Sequence, residues 1–142
     1  MQFELDPRLR KDSVILGEIE GGILLLMKNA YYPWFVIVPE TMETELYRLK
    51  PDQQQTLLRQ TNQLSEFIQR SFSVDKLNIA AIGNVVSQLH IHIIGRRHND
   101  PCWPNVVWGN PAFKAYSPAE LEDISRQVQL GLADTLTPVS TA

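Results

Sequence analysis

The sequence is poor in the residues that mark disulfide-linked or multi-cysteine zinc proteins. Its 142 residues include one cysteine, Cys102. An intramolecular disulfide is therefore excluded, and so is a zinc site built on several thiolates. Such sparse use fits a reducing compartment. Long apolar runs are also missing. The stretch Ile23 to Met27 falls far short of the roughly 20 residues a bilayer-spanning helix needs. The opening residues, Met1-Gln2-Phe3-Glu4-Leu5-Asp6, carry acids where a secretory leader would carry bases and an apolar core. These features predict a soluble cytoplasmic protein with no membrane partner. Charge is nearly balanced, with a net value of -3. That gives no electrostatic footprint for polymeric nucleic acid, although local donors can still hold a small anion. Histidine is scarce as well. There are only three, so the placing of two of them on one strand is informative.

What remains is ordinary globular composition, 44% hydrophobic and 20% charged. A single domain spanning residues 1–142 is expected, burying roughly two thirds of its unfolded surface. Ser13 to Glu18 and Ile23 to Met27 read as strands of an antiparallel hairpin turning at Gly21-Gly22. Trp34 to Val38, rich in aromatic and β-branched residues, reads as the next strand and ends at Pro39. Thr41 to Leu49 reads as a short helix. From Asp52 to Phe72, the residues Leu57, Thr61, Leu64, Ile68 and Phe72 recur at helical spacing. They form one apolar face opposite a Gln- and Arg-rich one. Leu77 to Ile82 and Gln88 to Ile94 read as strands. Ser117-Pro118-Ala119-Glu120 is a capping box that opens a C-terminal helix on Leu121, Ile124 and Val128. A loose tail is expected from about Thr137. Short links and one long helix predict an α+β class with antiparallel pairing.

The chemistry concentrates in Gly83 to Arg97, G-N-V-V-S-Q-L-H-I-H-I-I-G-R-R. On a strand, Leu89, Ile91 and Ile93 point into a core, and Gln88, His90 and His92 share the opposite face. Successive members of that face stand roughly 6 to 7 Å apart along the strand. Three readings of these polar residues compete. The first is a half-exposed strand that happens to be polar, which accounts for one histidine better than for two. The second is a metal site, but zinc needs at least three protein ligands. His98, Asp100 and Cys102 stand at no diagnostic spacing. The third is nucleophilic catalysis by a neutral imidazole, with its second ring nitrogen held protonated by a nearby carbonyl.

Gln88-Leu89-His90-Ile91-His92-Ile93-Ile94, with Gly83-Asn84 upstream, resembles the signature of the histidine-triad family, in which three histidines alternate with apolar residues. Lys28-Asn29-Ala30-Tyr31-Tyr32-Pro33 and the strand after it are similar to the family's nucleotide-site turn. The order of elements matches over most of the chain, least securely beyond Pro101. The resemblance implies a five-stranded antiparallel sheet, a homodimer, and reaction at the α-phosphate of a nucleotide substrate such as a dinucleoside polyphosphate or a nucleotide conjugate. It implies His90 as nucleophile, passing through a nucleotidyl-histidine. His92 would bond the phosphoryl group or orient its neighbour. Asn84, with Gly83, would donate to phosphate oxygens, and Asn29 would meet the ribose hydroxyls. Neither metal nor other cofactor is implied.

Two departures from the signature bear on the chemistry. Gln88 stands at the first triad position, where a histidine could relay a proton and an amide cannot. Val85 stands where other members carry a serine that could protonate a leaving nitrogen, so phosphoanhydride cleavage is expected over phosphoramidate cleavage. A phosphorylase, or a nucleotide-binding protein with little turnover, are the rival readings. Arg96 and Arg97 read chiefly as solvated strand-end residues. One guanidinium, that of Arg96, is the option for phosphate recognition. The loop from Pro101 to Pro111, with Trp103 and Trp108, reads as a lid, a partner contact or core packing. Cys102 reads as a bystander, His98 as a surface residue, and Asp6-Pro7-Arg8 as a loop with no assigned role.

Overall fold

The computed structural model describes residues 3–138. Met1, Gln2 and residues 139–142, the end of the expected tail, lie outside the described residues. Six strands form one antiparallel sheet: β1 (Ser13–Ile19), β2 (Gly22–Met27), β3 (Trp34–Pro39), β4 (Lys76–Ala80), β5 (Ile91–Arg96) and β6 (Thr137–Pro138). Their order across the sheet is β4-β5-β3-β2-β1-β6. The five expected strands are present, and the architecture is α+β. The sixth strand corrects the expected tail, because Thr137 and Pro138 pair with Glu18 and Gly17. Gly17 makes that approach possible, since a Cβ there would collide with the Thr137 carbonyl oxygen.

Helix α1 (Pro7–Asp12) stands where a loop is expected; the Asp6 side chain accepts from the Arg8 N–H, and Pro7 takes the first helical position. Helix α2 (Pro51–Phe72) buries Leu57, Thr61, Leu64, Phe67 and Ile68. In helix α3 (Pro118–Gly131), Ser117 and Glu120 cap each other reciprocally. The expected helix over Thr41 to Leu49 is reduced to one 3-10 turn at Leu46–Arg48. The Thr41 hydroxyl accepts from the Glu43 N–H and draws the backbone away from helical bonding.

Both faces of the sheet are covered. Against α2 and α3 lie Leu24, Leu26, Phe35, Ile37, Leu89, Ile91 and Ile93. On the opposite face Leu25, Val36 and Val38 are covered by Leu5 and Leu9 from the N-terminal segment. Tyr32, Ile94, Cys102 and Val107 make a third cluster, joined by Trp34 and Trp108. The β3–β5 register sets Val36 opposite His92 and Ile37 opposite Ile91. Pairing in β5 begins at Ile91, three residues later than expected. Residues 81–90 connect β4 to β5 without strand pairing.

Candidate active site

The alternation read from the sequence holds. His90 and His92 lie on the face away from α2, each at most 6% exposed. Their ring centroids are 4.8 Å apart, so the imidazoles lean together. His90 Nδ1 lies 2.7 Å from the Gln88 main-chain oxygen. A carbonyl can only accept, so Nδ1 carries the proton, and the neutral ring keeps its lone pair on Nε2.

His92 has the opposite tautomer. The Trp34 indole Nε1–H donates to His92 Nδ1 at 2.9 Å, and an indole nitrogen can only donate. In the neutral ring the proton is therefore on Nε2. Burial, with the nearby His90 adding to it, pushes the His92 pKa down to about 4. The pair is thus one imidazole with a free lone pair beside one neutral N–H donor. The depressed pKa has a consequence for stability. The unfolded chain takes up the His92 proton near pH 6.5 and the folded chain only near 4. Stability is full above pH 6.5 and falls by on the order of 3 kcal/mol as the pH drops toward 4. Urea melts of wild type against His92→Asn across that window should show the variant with the flatter pH dependence.

The Gln88 carboxamide is bonded to the N-terminal segment. Its Oε1 accepts from the Asp6 N–H and its Nε2 donates to the Glu4 carbonyl, both at 2.8 Å. Gly83 has φ +65°, a left-handed backbone that favours glycine. It turns the chain out of β4 into the exposed residues Asn84 and Val85. A cavity of about 420 Å³ opens at His90, with Glu45, Tyr47, Gly83, Ser87 and Gln88 on its walls. Among the described residues no group of three or more His, Cys, Asp or Glu is arranged to hold a metal ion.

A family model described as the HIT domain matches residues 8–99. A solved histidine-triad protein from Marinobacter aquaeolei is 38% identical, with a TM-score of 0.89, over 93% of this chain and 97% of that one. The chain belongs to the HIT-domain family. Similar solved structures include histidine-triad proteins from Bradyrhizobium japonicum and Sinorhizobium meliloti. The first is 35% identical, with a TM-score of 0.88, over 91% of this chain and 97% of that one. The second is 32% identical, with a TM-score of 0.87, over 91% and 96%. No curated protein matches the chain.

Within this HIT domain Arg96 and Asn29 both bond to neighbouring parts of the chain. Arg96 is neither a solvated residue nor a free phosphate ligand. It is 1% exposed. Its Nε and one Nη donate to Asp100 at 2.7 and 3.0 Å, and the other Nη donates to Asn78 at 2.9 Å. The Asn29 carboxamide is bonded within the fold. Nδ2 donates to the Ala112 carbonyl, and Oδ1 accepts from the N–H of Tyr31 and Lys114. It therefore fastens residues 112–115 beside the turn after β2. Arg97 is half-buried and donates to the Phe72 carbonyl, whereas His98 is exposed, as expected.

Two contributors escape sequence reading. Trp34 looks like strand packing, yet its indole N–H sets the His92 tautomer. Its place on the histidine face of the neighbouring strand was the available signal. Trp108 also packs edge-on to both Trp34 and His92, with centroids 6.0 and 5.2 Å away. It packs against His92 together with Trp34.

Proposed function

We propose that this HIT-domain protein is a cytoplasmic enzyme of one domain that cleaves phosphoanhydride bonds at the α-phosphate of a dinucleoside polyphosphate or similar nucleotide conjugate, with His90 as nucleophile. The observation that carries this reading is the complementary tautomer pair. His90 Nε2 holds a lone pair, and His92 Nε2–H is a neutral donor beside it. Nε2 of His90 attacks phosphorus, forming a P–N bond as the bond to the bridging oxygen breaks. The leaving group departs with that electron pair. His92 Nε2–H and the Asn84 amide donate to the non-bridging oxygens, where charge gathers in the transition state. The nucleotidyl-imidazolium keeps its Nδ1–H on the Gln88 carbonyl. Water then attacks phosphorus, the P–N bond breaks, a proton is released, and His90 is regenerated.

We read Gln88 as filling the first triad position without relaying a proton. A phosphate leaving group needs no proton in order to depart, but an amine does. A dinucleoside polyphosphate should therefore be turned over at least about ten-fold faster than the matching nucleoside phosphoramidate. Chromatography of both reactions would decide this, and a faster phosphoramidate reaction would overturn the assignment. The clamped Gln88 also favours a second reading, phosphorolysis, because a phosphate acceptor needs no base to activate it. Added inorganic phosphate would then shift the product from the nucleoside monophosphate to the diphosphate.

The site also belongs, in this reading, to a homodimer. Among the described residues no strand pairs with the outer side of β4, which makes it a sheet edge. Ile79 on β4 and Leu58 on α2 are 51% and 61% exposed. They line an apolar groove of about 430 Å³ together with Leu46, Tyr47, Leu57 and Ile91, and such a patch suits a second copy of the chain. Light scattering should give twice the 16.2 kDa chain mass. Ile79→Lys should shift it to one chain mass.

A further inference from the structure

We propose that Gln88 is a positioning residue: its carboxamide clamps the N-terminal segment Glu4 to Arg8 onto the loop before β5 and so holds the Gln88 carbonyl against His90 Nδ1. The inference rests on the reading of His90 as nucleophile. In an extended segment the carbonyl of one residue and the N–H two residues later lie on the same edge. Glu4 O and Asp6 N–H present that edge, and the Gln88 carboxamide meets it with one donor and one acceptor, each bond 2.8 Å long. A carboxamide carries both groups side by side. An imidazole carries its two nitrogens on diverging sides, and a carboxylate has no donor for Glu4 O. The clamp therefore accounts for an amide at position 88 where a proton relay would call for a histidine.

Two further ties join the same pair of segments. An Arg8 Nη donates to the Val85 carbonyl at 2.9 Å. Val86 packs against the cluster that contains Leu5 and Leu9. Residues 85–88 are thus fixed from the N-terminal side by a bidentate amide, a guanidinium and an apolar contact. The same residue 88 then offers its own carbonyl to His90 at 2.7 Å. Position 88 therefore couples the N-terminal segment to the tautomer of the nucleophile, which makes that segment a working part of the active site.

The test uses the full chain and reads the tautomer of His90 by ¹⁵N NMR, which is manageable with three histidines. Asp6 has φ -53°, which proline adopts without strain. Asp6→Pro thus removes the clamping N–H at a φ it can adopt, and its ring Cδ takes the place of Gln88 Oε1, so the carboxamide is displaced. Asp6→Ala keeps that N–H but loses the same helix cap, so it serves as the control. In wild type and Asp6→Ala the Nδ1-protonated form of His90 should dominate. In Asp6→Pro and Gln88→Ala the two tautomers should mix. In these two variants kcat on a dinucleoside polyphosphate should fall about ten-fold with KM little changed, and the double variant should be no worse than either single one. Gln88→His should also lower kcat. A fixed His90 tautomer in Asp6→Pro, or a faster Gln88→His enzyme, would overturn the clamp. The NMR reading stands apart from turnover. Wild type that shows the tautomer coupling yet never forms a nucleotidyl adduct would contradict the nucleophile assignment and leave the clamp supported.

Discussion

His90→Ala should lower kcat by about 10⁴-fold or more, the scale of losing a nucleophile from an enzyme that works through a covalent intermediate. The size of the effect follows from how few groups can replace it. The neighbouring imidazole cannot take over. Burial, the larger cause of the lowered His92 pKa, remains in the variant, and a weakened base is a poor nucleophile. Its Nδ1 lone pair is also engaged by the Trp34 indole at 2.9 Å. Gln88 offers only an amide that is already bonded at both ends. Loss of His92 should be milder, about 10²-fold, because it removes one donor to the transferring group and spares the attacking atom. Steady-state kinetics of the two alanine variants on one dinucleoside polyphosphate checks this order. Near-equal losses would mean that the two rings act as a unit.

The second large effect concerns stability. Asp100→Ala should cost about 3–5 kcal/mol, the usual result of leaving one member of a buried ion pair unpaired. That lowers the melting temperature by roughly 10–17 °C for a domain of this size. The side chains of Arg96 and Asp100 are 1% and 3% exposed, so water cannot take up the freed guanidinium. Asp100 also accepts from the N–H groups of Arg97, Cys102 and Trp103, so the loop that leads to Trp108 is folded around one carboxylate. Burial pulls the Asp100 pKa upward. The Arg96 guanidinium and the surrounding N–H donors more than reverse that and leave it below the ordinary 3.8. A depressed carboxyl pKa stabilises the fold above the ordinary value, and the benefit disappears as the pH falls through the lowered one. The cost of Asp100→Ala, followed by calorimetry, should therefore be largest above about pH 5 and shrink in strong acid. An Arg96→Leu/Asp100→Leu double variant should be more stable than either alanine single variant, because it leaves no charge behind.

Much of this site is written locally in the sequence. Period-two alternation over residues 88–94 separates His90 and His92 from Leu89, Ile91 and Ile93; the strand itself imposes this from Ile91 onward, and the extended residues just before it continue the pattern. Capping chemistry places the start of α3, and apolar spacing places α2. The details missed are those that depend on long-range partners. Gln88 is indistinguishable from a substrate-facing amide until residues more than 80 positions away return to meet it. Arg96 looks like a strand-end cation, and only the turn at residues 97–100 brings Asp100 onto it. Trp34 has the composition of core packing, and its function lies in the indole N–H that reaches across to β5. The Thr41 to Leu49 segment misleads for a local reason, since one threonine hydroxyl competes for the backbone that a helix would use.

The most direct test of the account is a denaturing mass spectrum of the intact protein, quenched in base within milliseconds to seconds of mixing with a dinucleoside polyphosphate, on wild type and on His90→Ala. Wild type should gain the mass of one nucleotidyl group, mapped to His90 by peptide analysis, and the variant should gain none. Turnover by wild type with no adduct at any quench time, or an adduct that persists in His90→Ala, would contradict it.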